Sequence, residues 1–276
     1  MKNMTLQHGL NWAREKLKTS CERPQFEAEL LLAHHLGKER TYLILHPDEV
    51  VTDAAGFEGL VKRRVDNEPY EYIVGEASFY DIHLKVAPGV LIPRPETELL
   101  IDEVANIIER EKITSIAEIG VGSGAISIVL ARKFPNLKII ATDICDAPLR
   151  IAAENAEAFG VCEQVTLCKS NLLDEVKESV ELVVSNPPYI AEDFVLEKNV
   201  AAYEPKEALF GGREGDELLR QIILDVKARG VKWLACEMGY DQKEPIQAFV
   251  NEVGVKSVRF YKDLAGFDRG FVIEFM

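Results

Sequence analysis

Two hydrophobic rhythms divide the chain. Up to about residue 76 the apolar positions recur at helical spacing. Phe26, Leu30, Leu31 and Ala33 follow Pro24, a good first-turn residue, and Gly37 supplies the stop. A further helix is expected after Thr52-Asp53, with Phe57, Leu60, Val61 and Val65 on one face. From Phe79 the period shortens to two. Ile82, Leu84 and Val86 alternate with Asp81, His83 and Lys85, which predicts a half-buried strand. Pro88-Gly89 reads as a turn and Val90-Leu91-Ile92 as a short return strand, so residues 77–95 are expected to form a hairpin linker.

Beyond Pro95, apolar strand segments alternate with amphipathic helices. Helices are expected over 97–110, 124–134, 148–160, 216–228 and 245–253. Strands are expected over 115–119, 137–142, 165–168, 180–185, 231–236, 255–260 and 271–275, with a long loop after the strand ending at Ser185. Such alternation predicts an α/β domain: a Rossmann-like, mostly parallel sheet with helices on both faces. The polar link between the last two strands suits an antiparallel C-terminal pair. The expected organisation is a small N-terminal helical domain (1–76), the hairpin linker (77–95) and an α/β domain (96–276).

Composition narrows the class. Apolar residues are 47% and charged residues 28% of 276, as in ordinary globular proteins. The longest stretch free of Asp, Glu, Lys and Arg, residues 119–131, is thirteen long with three glycines, short of the ~20 apolar residues a membrane helix needs. The opening Met1-Lys2-Asn3-Met4-Thr5-Leu6-Gln7 has no apolar core or small-residue cleavage site, so a cytoplasmic protein is expected. The five cysteines form no C-x-x-C pair, and no His follows His83, so no metal site is expected. His34 and His35 read as packing or surface residues. Net charge is −14. Residues 1–95 carry 12 basic and 14 acidic side chains; residues 96–276 carry 20 and 32. That excess repels phosphate backbones and counts against nucleic acid.

Ligands in parallel sheets sit beyond the carboxyl ends of the strands, and three strand ends carry chemistry. The first is Glu118-Ile119-Gly120-Val121-Gly122-Ser123-Gly124-Ala125, where glycines permit a tight turn and close approach of a ligand to the backbone. It also fits G-x-G-x-x-G/A, which keeps a nicotinamide enzyme in play. The second is Asp143, 23 residues after Gly120, placed to accept the hydroxyls of a ribose or, alternatively, to cap the next helix. The third is Asn186-Pro187-Pro188-Tyr189, which follows the strand Leu182-Val183-Val184-Ser185. Each proline forces its predecessor out of the helical region and lacks an N–H, leaving rigid carbonyl acceptors. The Asn186 side-chain oxygen and the Pro187 carbonyl can each accept one N–H of an –NH2 group, while Tyr189 can lie against a planar amide or base.

On these residues the chain resembles the PrmC/HemK family of protein-(glutamine-N5) methyltransferases over nearly its full length. The resemblance runs through Glu27-Ala28-Glu29-Leu30-Leu31-Leu32-Ala33-His34, Glu68-Pro69-Tyr70-Glu71-Tyr72-Ile73-Val74-Gly75 and Val90-Leu91-Ile92-Pro93-Arg94-Pro95-Glu96-Thr97-Glu98. It continues through the glycine loop, the N-P-P-Y corner, Tyr203-Glu204-Pro205, Ala208-Leu209-Phe210-Gly211-Gly212 and Lys262-Asp263-Leu264-Ala265-Gly266. N-P-P-Y alone is shared with adenine-N6 and cytosine-N4 DNA methyltransferases; joined to P-R-P-E-T-E it is far more specific.

The resemblance implies a class I methyltransferase domain using S-adenosylmethionine and releasing S-adenosylhomocysteine. Its partners would be class 1 peptide chain release factors, recognised in part by the helical domain, and a monomer is the expected state. Glu118, Gly120, Val121, Gly122, Ser123 and Gly124 would wrap the methionine part of the cofactor and Asp143 would hold the ribose. Asn171 and Leu172 would border the adenine, with Leu172 standing where the family commonly has an aromatic. Asn186, which also borders the cofactor, would receive the glutamine of a Gly-Gly-Gln tip together with Pro187, Pro188 and Tyr189. Arg94 and Glu96 are expected to line the entrance for cofactor or substrate, or else to form an interdomain ion pair.

Three rivals remain at this stage. An adenine-N6 DNA methyltransferase would need a base-flipping surface and a larger recognition domain than this acidic chain offers. A nicotinamide dehydrogenase lacks an evident His or Lys beside the N-P-P-Y strand. A release-factor or ribosome-binding module without catalysis would bind no S-adenosylmethionine.

Overall fold

The structure is a computed structural model that describes residues 4–276, so the first three residues of the N-terminal segment read above lie outside it. The chain divides into two compact units. The first runs through Glu76 and takes in Leu196–Tyr203, a segment that the sequence boundaries assign to the α/β domain. It holds α1 (Leu6–Leu17), α2 (Pro24–Leu36), α3 (Arg40–Leu45), α4 (Ala54–Val65) and α5 (Tyr70–Val74). Pro24 opens α2, and Gly37, with φ 61°, ends it in the left-handed region that glycine adopts without strain. Asp53 caps α4 by accepting the Gly56 N–H at 3.2 Å. Leu10, Leu17, Leu31, Leu32, Phe57 and Val61 close a small core. Tyr203 of the returning segment donates its hydroxyl to the Asp66 carbonyl at 3.0 Å.

The second unit comprises Ala77–Val195 and Glu204–Met276. A hairpin is present, but its strands are β1 (Glu76–Phe79) and β2 (Ile82–Lys85). The return strand expected at Val90-Leu91-Ile92 does not form; those residues run as an irregular segment. The turn falls earlier because Tyr80 takes φ 53°, so the alternating run folds back on the segment before it.

The rest alternates: α6 (Thr97–Glu111), β3 (Ser115–Ile119), α7 (Ala125–Lys133), β4 (Lys138–Asp143), α8 (Asp146–Ala158), β5 (Val165–Lys169), β6 (Leu182–Ser185). The segment read as a long loop contains β7 (Ile190–Ala191), α9 (Lys198–Tyr203), a 3-10 turn (Lys206–Ala208) and β8 (Phe210–Gly212). The chain ends with α10 (Glu217–Ala228), β9 (Trp233–Glu237), α11 (Lys243–Val253), β10 (Ser257–Lys262) and β11 (Asp268–Glu274).

Seven strands form one sheet in the order β10-β11-β9-β6-β3-β4-β5. The strands from β9 to β5 pair in parallel, and β11 is antiparallel to both β9 and β10, as the sequence predicted for the C-terminal pair. Period-two alternation feeds two cores. Ile116, Leu182, Val184 and Ala235 join α6, α7 and α8, whereas Ala117, Val183, Leu234 and Cys236 join α10 and α11. Strand order reverses at β3, whose successor β4 lies on one side and β6 on the other. That reversal opens a crevice above the carboxyl ends of β3 and β6.

Candidate active site

The register of the sheet decides where the three strand ends meet. Ile119 of β3 pairs with Ser185 of β6, and Thr142 of β4 pairs with Ile119 on the other side. Gly120, Asp143 and Asn186 therefore leave the sheet side by side. Gly120 (φ 78°) and Gly122 (φ 56°) turn the chain sharply, and the N–H groups of Gly120 and Val121 both donate to the Thr142 carbonyl, at 2.9 and 2.8 Å. A methyl group on Gly120 would lie 4.0 Å from the Asn186 carbonyl oxygen, so the glycine turn and the proline corner face each other.

A cavity of about 350 Å³ opens at this point. Its wall includes Gly120, Gly122, Asp143, Asn171, Leu172, Asn186, Pro187 and Pro188 among the residues expected from sequence. Val121, Ser123 and Gly124 support the turn from behind: Val121 and Ser123 are buried, the Ser123 carbonyl accepts Asn155 Nδ2 at 2.8 Å, and Gly124 starts α7. Glu118 lies beneath the turn, 1% exposed, and accepts the Ser127 hydroxyl. Burial raises its carboxyl to about 8, with the nearby Asp143 adding to the rise.

Asp143 is fixed by two backbone donors, Cys145 N at 3.0 Å on one oxygen and Gly122 N at 3.3 Å on the other. Burial raises its pKa and these N–H groups oppose the rise. Each oxygen retains a lone pair for a ligand hydroxyl. Leu172 is 8% exposed and holds φ 48°, a left-handed backbone uncommon for a leucine, and its side chain closes one side of the cavity.

The proline corner is held from below. Asn186 Nδ2 donates to Thr97 Oγ1 at 2.9 Å, and the Thr97 hydroxyl donates to Glu237 Oε2 at 2.7 Å. Tyr189 donates its hydroxyl to the other oxygen, Glu237 Oε1, at 3.0 Å, and its carbonyl accepts Gln242 Nε2 at 2.8 Å. Among the described residues, neither Asn186 Oδ1 nor the Pro187 carbonyl accepts a hydrogen bond. Burial pushes Glu237 up to about 7, while its two hydroxyl donors pull the other way. The Tyr189 ring is turned toward Glu237 and is not part of the cavity wall.

Behind the corner, β7 and β8 pair in parallel, and Gly211 and Gly215 press on it. A methyl group on Gly211 would sit 2.4 Å from the Pro188 carbonyl oxygen, and one on Gly215 would sit 2.5 Å from that of Tyr189. Arg94 forms an ion pair with Glu204 at 2.5 Å, and the Ile92 N–H donates to the same carboxylate at 3.3 Å. Both partners belong to the second unit, so the interdomain ion pair weighed from sequence is not what forms. Neither Arg94 nor Glu96 reaches the cavity wall; Glu96 stands close enough to raise the pKa values of Glu237 and Tyr189.

Glu237 was missed from sequence. Its signal is a lone carboxylate ending the apolar strand Trp233-Leu234-Ala235-Cys236. Thr97 appeared there only inside a motif. Further wall residues, including Leu91, Ile144, Pro205, Glu207, Phe210 and Leu218, come from five separate segments.

The cavity fits an adenosyl cofactor by three features: apolar walls, a ribose-sized acidic acceptor, and glycines that leave room. A methyl on Gly122 would meet no atom within 4 Å.

Comparisons with known proteins bear on the family and the fold. Residues 9–75 match the PrmC N-terminal domain, and residues 95–203 match the methyltransferase small domain. A release factor glutamine methyltransferase of Clostridium botulinum is 36% identical over 263 residues, covering 91% of this chain and 92% of that protein. One from Coxiella burnetii is 34% identical over 264 residues and covers 94% of each. The human METTL16 catalytic domain, solved in complex with a MAT2A 3′UTR hairpin, shares the fold at TM-score 0.59 and 16% identity, covering 81% of both chains. The N-terminal domain of human METTL16 in complex with SAH superposes at TM-score 0.53 and 19% identity, over 70% of this chain and 75% of that one.

Proposed function

We infer that this chain, which belongs to the release factor glutamine methyltransferase family, transfers a methyl group from S-adenosylmethionine to the side-chain amide nitrogen (N5) of the Gly-Gly-Gln glutamine of class 1 peptide chain release factors. The observation that carries this reading is the state of Asn186. One N–H of its side-chain amide is given to Thr97 and its Oδ1 accepts no hydrogen bond among the described residues, on a residue that lines the cavity bordered by Gly120 and Asp143.

When bound, the cofactor supplies an electrophilic methyl on a sulfonium sulfur. Gly120 and Gly122 would leave space for its methionine part, Asp143 would take two ribose hydroxyls, and Leu172 with Asn171 would flank the adenine. The acidic lining of Asp143 and Glu207 favours a cationic ligand.

An amide nitrogen is a weak nucleophile because its lone pair is delocalised into the carbonyl. Asn186 Oδ1 and the Pro187 carbonyl would each accept one N–H of the substrate amide and so aim the nitrogen at the methyl. Such alignment removes an entropic barrier that can reach ~7–11 kcal/mol. As the nitrogen forms its new bond, its N–H groups become more positive, so both acceptors bind the transition state more tightly than the ground state. As the nitrogen gains the methyl, the carbon–sulfur bond would break with its electron pair returning to sulfur, and the nitrogen would then release one proton to water. Neither acceptor is a strong base, so the corner acts by position and polarity rather than by prior deprotonation.

The helical unit would take part in holding the release factor, and the protein would act in the cytoplasm as a monomer. No described helix is long and apolar enough to cross a membrane. The net charge of −14 weighs against the DNA alternative.

The test is mass spectrometry of a purified class 1 release factor after incubation with enzyme and S-adenosylmethionine. A gain of one methyl on the Gly-Gly-Gln glutamine, abolished at least ~100-fold in Asn186→Ala while cofactor affinity changes little, is the expected result. Methyl transfer to DNA, or none to the glutamine, overturns the assignment.

A further inference from the structure

The strand β9 is buried along its whole length, and a fold built for stability alone would end it in an apolar side chain. It ends instead in Glu237, 1% exposed, with no Lys or Arg within 4 Å among the described residues. Arg269, whose charge reaches Glu237, is bonded instead to Asp263 at 2.7 Å. A buried carboxylate held only by hydroxyls costs stability, so the arrangement points to another role.

The hydrogen bonds identify that role. A threonine hydroxyl has one proton. Thr97 gives it to Glu237 Oε2, leaving Thr97 Oγ1 able only to accept from Asn186. Asn186 must then turn its NH2 inward and its Oδ1 toward the cavity. Without the carboxylate, Thr97 could donate to Asn186 Oδ1 instead, and the amide could flip to present a donor where an acceptor is needed. The second oxygen of Glu237 holds Tyr189, the far end of the same corner.

We propose that Glu237 is a positioning residue that acts through Thr97 to set the direction of the Asn186 amide, and so makes the corner a receptor for a hydrogen-bond donor, the –NH2 of a carboxamide. This rests on the reading of the site given above. Glu237 need not touch the substrate. Its ionised form is the competent one, because only an acceptor compels Thr97 to donate. The charged and titratable groups around it are Glu96, Arg269, Tyr189 and Tyr261.

Three variants test the proposal in the full-length protein: Glu237→Gln, Thr97→Val and Thr97→Ser. The first reading is the ¹⁵N side-chain amide signal of Asn186, identified by its loss in Asn186→Ala, and its protection from hydrogen exchange. It needs no substrate. The second is kcat and KM for methylation of a purified release factor, with S-adenosylmethionine affinity by calorimetry.

Glu237→Gln and Thr97→Val are expected to lower kcat about 30- to 100-fold with cofactor affinity within about threefold, and to lose the Asn186 amide protection. Thr97→Ser, which keeps the hydroxyl, restores both. The wild-type kcat is expected to fall on acidification through the Glu237 titration, and that limb should vanish in Glu237→Gln. Protected Asn186 amide protons and full kcat in Thr97→Val overturn the proposal. If the wild type transfers no methyl to the glutamine while the Asn186 amide is protected and Thr97→Val releases it, the glutamine reading fails and the orienting device stands.

Discussion

Adding a single methyl group behind the proline corner should disable the protein without touching its cavity. Gly211 lies on β8 and is not part of the cavity wall. A Cβ there would stand 2.4 Å from the Pro188 carbonyl oxygen, 2.4 Å from the Gly215 carbonyl oxygen and 2.9 Å from Tyr189 Cα. All three are backbone atoms, so no flexible side chain can swing aside. Reaching even 3.0 Å requires β8 and the corner to part by at least about 0.6 Å. Overpacking of this kind costs about 1–3 kcal/mol of stability. The larger effect is on the reaction, because displacing a positioned acceptor by the better part of an ångström lowers rates by about 100-fold. Gly211→Ala is thus expected to melt a few degrees lower, to bind S-adenosylmethionine within a few-fold of wild type by calorimetry, and to lose about 100-fold in kcat on a release factor. Gly59→Ala is the control: it lies in α4 with no atom within 4 Å of the added methyl, and it should turn over normally. Wild-type kcat in Gly211→Ala would refute the claim that the corner's position limits the reaction.

Other consequences concern charge. The Glu118 carboxyl is raised from 4.5 to about 8 in the folded protein, so between these values the folded state holds a proton that the unfolded chain has released. Stability should therefore be greatest below pH 4.5 as far as this group is concerned, and decline as pH rises to 8, by on the order of 5 kcal/mol. Denaturant titrations at pH 5 and 8 should show this loss, and Glu118→Gln should remove much of it; an equal pH dependence in the variant would assign the effect elsewhere. Asp143→Ala should weaken S-adenosylmethionine binding about 10- to 100-fold by calorimetry, with Asp143→Asn milder because one acceptor oxygen survives. Arg94→Met strands the Glu204 carboxylate, whose side chain is 2% exposed, and should cost about 3 kcal/mol in denaturant unfolding. Combining it with Glu204→Gln should recover most of that loss, whereas no recovery would place Arg94 in another role.

Local chemistry made much of this protein legible without coordinates. Ser115–Ile119 reads as a buried strand because an apolar run ends at glycines, and the structure forms that strand with those bounds. The prolines after Asn186 constrain their own neighbourhood whatever the fold, so the corner could be described from sequence as rigid and rich in acceptors. The C-terminal antiparallel pair was marked by the polar link between its two strands.

What depends on distant partners was not legible. The strand pair Ile190–Ala191 and Phe210–Gly212 is too short to carry a period, and exists because each segment finds its hydrogen bonds about twenty residues away. The strand expected at Val90-Leu91-Ile92 does not form because its N–H groups go elsewhere: that of Val90 donates to the Ala87 carbonyl at 3.1 Å and that of Ile92 to the distant Glu204 carboxylate at 3.3 Å. Glu237 meets Thr97 across 140 residues of chain, and the side of Asn186 that faces the cavity is decided by where one threonine proton goes. Sequence could say that acceptors stand at the corner, because that follows from covalent structure. Only the packed sheet, by bringing β3, β6, β9 and the start of α6 to one rim, decided which acceptors remain free and which way they point.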